Sequence, residues 1–220
     1  MDPMKTKRFD MVVRCSCILA GLVFWGTVLG FGQAAPDPWL ILASGETGSI
    51  NAHTTREDLV RSYGASNVTE QDADVGEGDM EPETVLFAND PERRIEILWK
   101  DPDKKAEPTN VSIRGKKSLW HAAHGITLGT SVNELEHANG RPFGFALVND
   151  GTDMAEQLFT WRGGLLEKEF QGNSRVILSL EWSPTKGAKP RGPADFKADS
   201  DNLAWRARNP HISAMTWVFP

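Results

Sequence analysis

Residues 125–143 read GITLGTSVNELEHANGRPF, and the order of residue types in that stretch decides the fold. Ser131 stands before a short amphipathic run, and Glu134 follows it by three positions. That is the spacing of a capping box, in which a hydroxyl and a carboxylate satisfy each other's orphan backbone amides. Leu135 directs the run at a core, and Gly140 stands where a helix ends in a left-handed residue. An earlier stretch, GSINAHTTREDLVRSYGASNV at 48–68, has the same order. A shift of 76 residues carries Ile50 onto Ile126, Thr54 onto Thr130, Thr55 onto Ser131, Asp58 onto Glu134, Leu59 onto Leu135 and Gly64 onto Gly140 without a gap. Only four of the fifteen positions 50–64 are identical, so the repeat rests on start, core and stop signals sharing one offset.

Reading outward, each predicted helix is followed by short runs of β-formers bounded by Asn, Asp, Gly and Pro. After the first come an acidic loop, TVLFA (84–88), the turn NDPERR and IEILW (95–99). After the second come GFALV (144–148), the turn NDG, EQLFTW (156–161), the turn RGG and RVILSLEW (175–182). VSIRG and SLWHA predict a hairpin turning near Gly115, and ISAMTWVF (212–219) a closing strand. ADSDNLAWRARNP predicts a short capped helix halted before Pro210, and the proline-rich 183–196 a surface loop. The expected fold is α+β: two tandem units, each a short helix or helix-loop-helix on a small antiparallel sheet. They span 48–122 and 123–220, after a signal peptide at 1–34 and an N-terminal segment at 35–47.

The pattern Ile126, Gly129, Ser131, Glu134, Leu135, Gly140, Pro142 resembles small secreted bacterial αβ domains. Among these are the tandem-repeat β-lactamase inhibitory protein and the small outer-membrane lipoprotein of the β-barrel assembly machinery. The resemblance implies a helix-loop-helix packed on an antiparallel sheet and a function exercised by docking onto other proteins. The chain beyond the signal also resembles a group of secreted bacterial proteins of uncharacterised function, through VGEG (75–78), RRIEILW (93–99) and GRPF (140–143). The first copy departs from the pattern: His53 stands where Gly129 stands, and no proline follows Gly64.

Lys5, Lys7, Arg8 and Arg14 precede an uncharged run at 15–35, and GQAAPDP follows its apolar centre. This predicts a signal peptide cleaved after Ala34, with Gly32 and Ala34 at the small-residue positions. The alternative is a retained anchor, since 21 residues are long enough to span a bilayer. A periplasmic or secreted location follows from cleavage. Both cysteines lie in this segment, so the chain from Ala35 carries no disulfide and no cysteine metal site. Its 186 residues suffice for a core. Its 20 basic and 28 acidic residues, a net charge of −8, disfavour nucleic acid, whose phosphates need a basic face.

Asp72, Asp74 and Asp79 gather on glycines in EQDADVGEGDMEPE, as a hard cation would require. The EF-hand order fails, because Gly76 stands at position five and Glu77 at six. A solvated acidic stretch is expected, with no metal. His121 and His124 lie in a segment that ends a predicted strand, where residues three apart face opposite sides. No G-x-S-x-G motif and no phosphate-loop lysine occur, and no cofactor is expected. Seven tryptophans beyond the signal are read as core. Arg141, Phe143 and Phe145, directly after a helix stop, are the expected binding anchors. The leading function is a non-catalytic binding protein that contacts another protein of the envelope or exterior. It has no nucleic-acid ligand, and no membrane contact after cleavage. The alternatives are an enzyme on glycan or cell wall with paired carboxylates, and a calcium-dependent module.

Overall fold

Both capping boxes form. The computed structural model describes residues 37–76, 78–149, 155–170, 175–181 and 195–220, without the side chains of 146–149, 155–159, 175, 195–197 and 205. The expected signal peptide, the turn around 150, Trp182 and most of the proline-rich loop lie outside the described residues. Helix α1 (Arg56–Tyr63) begins with Thr55 Oγ1 accepting from Asp58 N at 3.2 Å while Asp58 accepts from Thr55 N at 3.0 Å. Helix α2 (Val132–Asn139) repeats this between Ser131 and Glu134, at 3.3 and 2.7 Å. The exits differ. Gly140 is left-handed (φ 75°, ψ 3°), whereas Gly64 has positive φ but extended ψ (φ 85°, ψ 144°).

The loops before the two helices are anchored by the same bonds. Asn51 N donates to Thr54 Oγ1 at 2.8 Å, and Thr127 N to Thr130 Oγ1 at 3.0 Å. Glu107 N bonds the carbonyl of Thr54 and Ile212 N that of Thr130, at 3.1 and 2.9 Å. Arg56 N reaches Lys105 O and Val132 N reaches Pro210 O, both at 2.9 Å. The first helix is therefore tied to the start of β4 (Ala106–Arg114) and the second to the start of β9 (His211–Val218).

The fold is α+β and mostly antiparallel sheet. Beyond β4 and β9 the described strands are β1 (Val68–Gly76), β2 (Asp79–Leu86), β3 (Ile95–Asp101), β5 (Gly144–Asn149), β6 (Ala155–Thr160), β7 (Arg175–Glu181) and β8 (Asp195–Asp199). They form one sheet in the order β1-β2-β3-β4-β9-β7-β6-β5-β8. The closing strand thus lies in the middle and joins β4 to β7. Register places Ile97, Val111, Trp217 and Val176 in one row across four strands, and Ile113, Met215 and Leu178 in the next. With strand side chains alternating in period two, these rows form the buried face. Leu59 and Leu135, both 0% exposed, belong to the same core.

Four sequence expectations are corrected. The acidic stretch is not a loop: Glu70 to Asp74 pair with Thr84 to Met80 as the hairpin β1–β2. Pro82 fits because β2 pairs with β3 only over 84–86, so no third strand awaits its missing N–H. SLWHA forms no hairpin, because both edges of β4 are already taken by β3 and β9. His121 instead bridges Leu40 in parallel, and Trp120 is buried with its indole N–H on Arg93 O at 2.9 Å. Helix α3 (Leu166–Phe170), whose only signal was Leu166 and Phe170 four apart, follows the RGG turn. The end of the expected loop at 183–196 enters β8, beside β5. The tail helix α4 (Leu203–Arg208) forms as expected, with Asn202 Oδ1 accepting from Ala204 N at 2.9 Å.

Candidate functional site

Asn133, Glu136, His137 and Gly140 are spaced i, i+3, i+4, i+7 along α2 and share one side of it. Val132, Leu135 and Asn139 are buried on the other. Because Val132 and Thr130 are bonded to Pro210 and Ile212, the residues just before β9 are held beside α2, and α4 brings Arg206 to the exposed side. A cleft of about 490 Å³ results, lined by Asn133, Glu136, His137, Gly140, Arg141, Pro142 and Arg206.

The charges in the cleft are unevenly matched. Arg206 Nη2 pairs with Glu136 Oε1, Ser200 Oγ donates to Glu136 Oε2 at 2.5 Å, and Arg206 Nε donates to Ser200 O at 3.2 Å. Ser200 is wholly buried and exchanges two bonds with Phe143, both at 2.9 Å. Arg162 pairs with Asp199. Arg141 is exposed and donates Nη1 to the carbonyl of Arg162 at 3.0 Å, and among the described residues it has no carboxylate partner. The buried amide of Asn139 fixes this loop. It donates to Arg141 O and Trp161 O, each at 3.0 Å, and accepts from Leu166 N at 3.2 Å. The amide also fills the space where a Cβ on Gly164 would stand, 2.0 Å from Asn139 Oδ1. At the rim, Leu165 is 65% exposed and adjoins Gly140, and Leu203, one turn before Arg206, is 81% exposed.

Of the three expected anchors, only Arg141 is at the surface. Phe143 and Phe145 are 0% and 3% exposed; they are core residues, a correction to their reading as anchors. Phe143 lies 5.1 Å from the Trp161 ring and 6.1 Å from Phe145. Two residues apart at the start of a strand, they face one side together, and that side is the core. The spacing was visible in the sequence.

Asp72 and Asp74 lie on β1 opposite Pro82 and Met80, and Asp79 pairs with Gly76 across a bulge. Asp74 Oδ1 accepts from Gly76 N at 2.9 Å. No group of three or more metal-ligating side chains occurs among the described residues. His121 bonds Asp37 at 3.1 Å, and His124 lies 3.9 Å from Glu169. Trp99, Trp120, Trp161 and Trp217 are all buried.

One polar cluster was not expected. Glu83 and Glu96 are buried on the sheet, with Val85 paired directly opposite Glu96. Arg94 and Arg114 clamp Glu96, each at 2.9 Å. Gln71 Nε2 donates to Glu83 at 2.6 Å and Arg94 Nη2 donates to Gln71 at 3.1 Å. Burial holds the Glu83 carboxyl above the ordinary range, the Gln71 bond opposes this, and the charge of Glu96 adds to the rise. Only strand pairing brings these residues together, so the linear sequence carried no signal for the cluster. Compared with family models, with curated proteins and with solved structures, the chain matches none.

Proposed function

We propose that this is an exported, non-catalytic binding protein of the periplasm or cell exterior, built from two tandem αβ units and docking onto another protein through the α2–α4 cleft. The observation that carries the reading is Arg141: a surface guanidinium beside a cleft, with no carboxylate partner among the described residues. Leu165, which adjoins Gly140, and Leu203, on α4 with Arg206, are both exposed. Arginine beside exposed apolar groups is the residue mix that concentrates interface energy. The tandem reading draws support from the paired capping boxes and the matching bonds of Thr54 and Thr130.

A photo-crosslinker at Leu165 tests the proposal in cells. One discrete adduct is expected, weakened by Arg141→Glu and absent when the probe is moved to Thr69 on β1. A smear of adducts, or the same adduct from both positions, would refute it. Glu83 beside Glu96 favours a second reading, acid–base chemistry on a glycan, since unequal environments separate the proton affinities of neighbouring carboxylates. Turnover of a peptidoglycan fragment that Glu83→Gln abolishes in a folded protein would establish that reading instead.

A further inference from the structure

We infer that the α2–α4 cleft receives a carboxylate from an acidic segment of the partner, with Arg141 as its counter-charge. The inference rests on the binding reading above and names what the cleft selects.

Charge balance comes first. Glu136 and Arg206 neutralise each other, as do Arg162 and Asp199. Glu167 accepts from Gly163 N beside Arg141, but among the described residues no carboxylate lies within ion-pair distance of the Arg141 guanidinium, which bonds a backbone carbonyl instead. That guanidinium stands out in a chain whose net charge is −6. A single excess cation suits a monoanion. A phosphate dianion would meet Glu136 in the wall with only one cation to offset it.

Geometry agrees. Arg141 spends Nη1 on Arg162 O at 3.0 Å, and this bond sets the plane of the guanidinium. The remaining N–H groups form the planar fork that a carboxylate matches with two parallel hydrogen bonds. Asn139, 1% exposed, grips the carbonyl of Arg141 from below, so the loop is ordered before any ligand arrives, and less conformational entropy is lost on binding. The Asn133 amide and the His137 ring, in the same lining, supply further polar contacts.

The rim identifies a peptide over a free acid. Leu165, 65% exposed, adjoins the lining residue Gly140, and Leu203, 81% exposed, precedes the lining residue Arg206 by three positions on α4. A free small carboxylate would leave both in water. A chain carrying apolar residues beside its acidic one covers them.

The test uses the purified protein and two blocked peptides, acetyl-Gly-Leu-Glu-Leu-Glu-Gly-amide and its Gln-for-Glu analogue, followed by ¹⁵N NMR that includes the arginine Nε–Hε signals. The Glu peptide should shift Arg141 Nε and the amides of Asn133, His137 and Gly140 with saturation. The Gln peptide should bind about tenfold more weakly or worse, consistent with loss of a charge-assisted pair. Arg141→Gln should weaken Glu-peptide binding by a similar factor, and Arg141→Lys by less. Equal binding of the two peptides to the unaltered protein would overturn the inference without relying on any variant. So would sodium phosphate shifting the same resonances at lower concentration than the peptide, at matched ionic strength. If the Leu165 adduct forms in cells but the peptides bind equally, the docking surface stands and the carboxylate falls. If the peptides discriminate but no adduct forms, the carboxylate site stands and the protein-docking reading falls.

Discussion

Ser131 and Thr55 show what a single hydroxyl does when it ends a helix. Each accepts the amide three residues ahead, and the acid at that position answers. Replacing a capping hydroxyl by alanine costs about 1 kcal/mol, so Ser131→Ala and Thr55→Ala should each lower the urea midpoint by a comparable amount. Unchanged midpoints in both variants would remove the caps from the account of stability. Protonation reaches the same bonds. The Glu134 carboxyl is held below its ordinary value of 4.5 by the Ser131 backbone bond first and the Ser131 hydroxyl second. A lowered carboxylate contributes stability that is complete above the unfolded value and is lost as pH falls through the folded one. The penalty of Ser131→Ala should therefore shrink below pH 4.5, the ordinary glutamate value. Glu83 behaves oppositely. Its raised folded value means that ionisation costs stability, a cost that appears as pH climbs through that value. Glu83→Gln should raise the midpoint at neutral pH, and the gain should vanish on acidification. A gain independent of pH would mean that packing, and not charge, is responsible.

At the level of elements, the acidic ribbon β1–β2 has a structural purpose. Among the described residues β1 pairs only with β2, and its outer edge is a row of backbone groups without a strand partner there, a template for pairing with another chain. Glu70 is already in ion pairs with Arg56 and Lys105, whereas Asp72 and Asp74 along that strand set like charges against such strand pairing. Met80 and Val75, 57% and 43% exposed near the ribbon tip, would otherwise assist it. The double change Asp72→Val, Asp74→Val should leave the monomer folded but drive concentration-dependent association, visible by light scattering. A variant that stays monomeric at the highest soluble concentration would show that the edge needs no charge. On the other side of the sheet, Gly164 serves a helix it does not belong to. A Cβ there would overlap Asn139, which is why the RGG turn after β6 and the exit of α2 are built as one piece.

Across residues 37–220, which form one compact unit, the central pair β4–β9 is decisive. Ile113 and Val111 stand opposite Met215 and Trp217, and Ser112 and Thr216 share a 2.9 Å hydrogen bond. Each strand also starts at the anchor of one capped helix. Removing either β4 or β9 would expose the buried rows that the two strands share. Calorimetry should show one unfolding transition with equal calorimetric and van't Hoff enthalpies, and hydrogen exchange should be slowest in β4 and β9. Two resolved transitions would show that the β4–β9 pair does not couple the sheet.

The sequence by itself determined what depends on neighbours within a few residues: both helices and their caps, the left-handed Gly140, the position of most strands, and Arg141 as a surface group. These follow from hydrogen bonds that close over three or four positions and from alternation along one strand. It did not determine which strands pair. The acidic stretch has the composition of a loop and becomes a hairpin only because its own second half, Met80 to Glu83, pairs with Gln71 to Asp74, and SLWHA has the composition of a strand but finds both edges of β4 occupied. Phe143 and Phe145 show the same boundary at the site. Their types suggested anchors, but which side of β5 faces the core is settled only once the sheet is assembled. The balance of charge around Arg141 is likewise tertiary. Glu136 and Arg206 lie 70 residues apart in sequence, and only the docking of the α4–β9 junction against α2 lets one cancel the other.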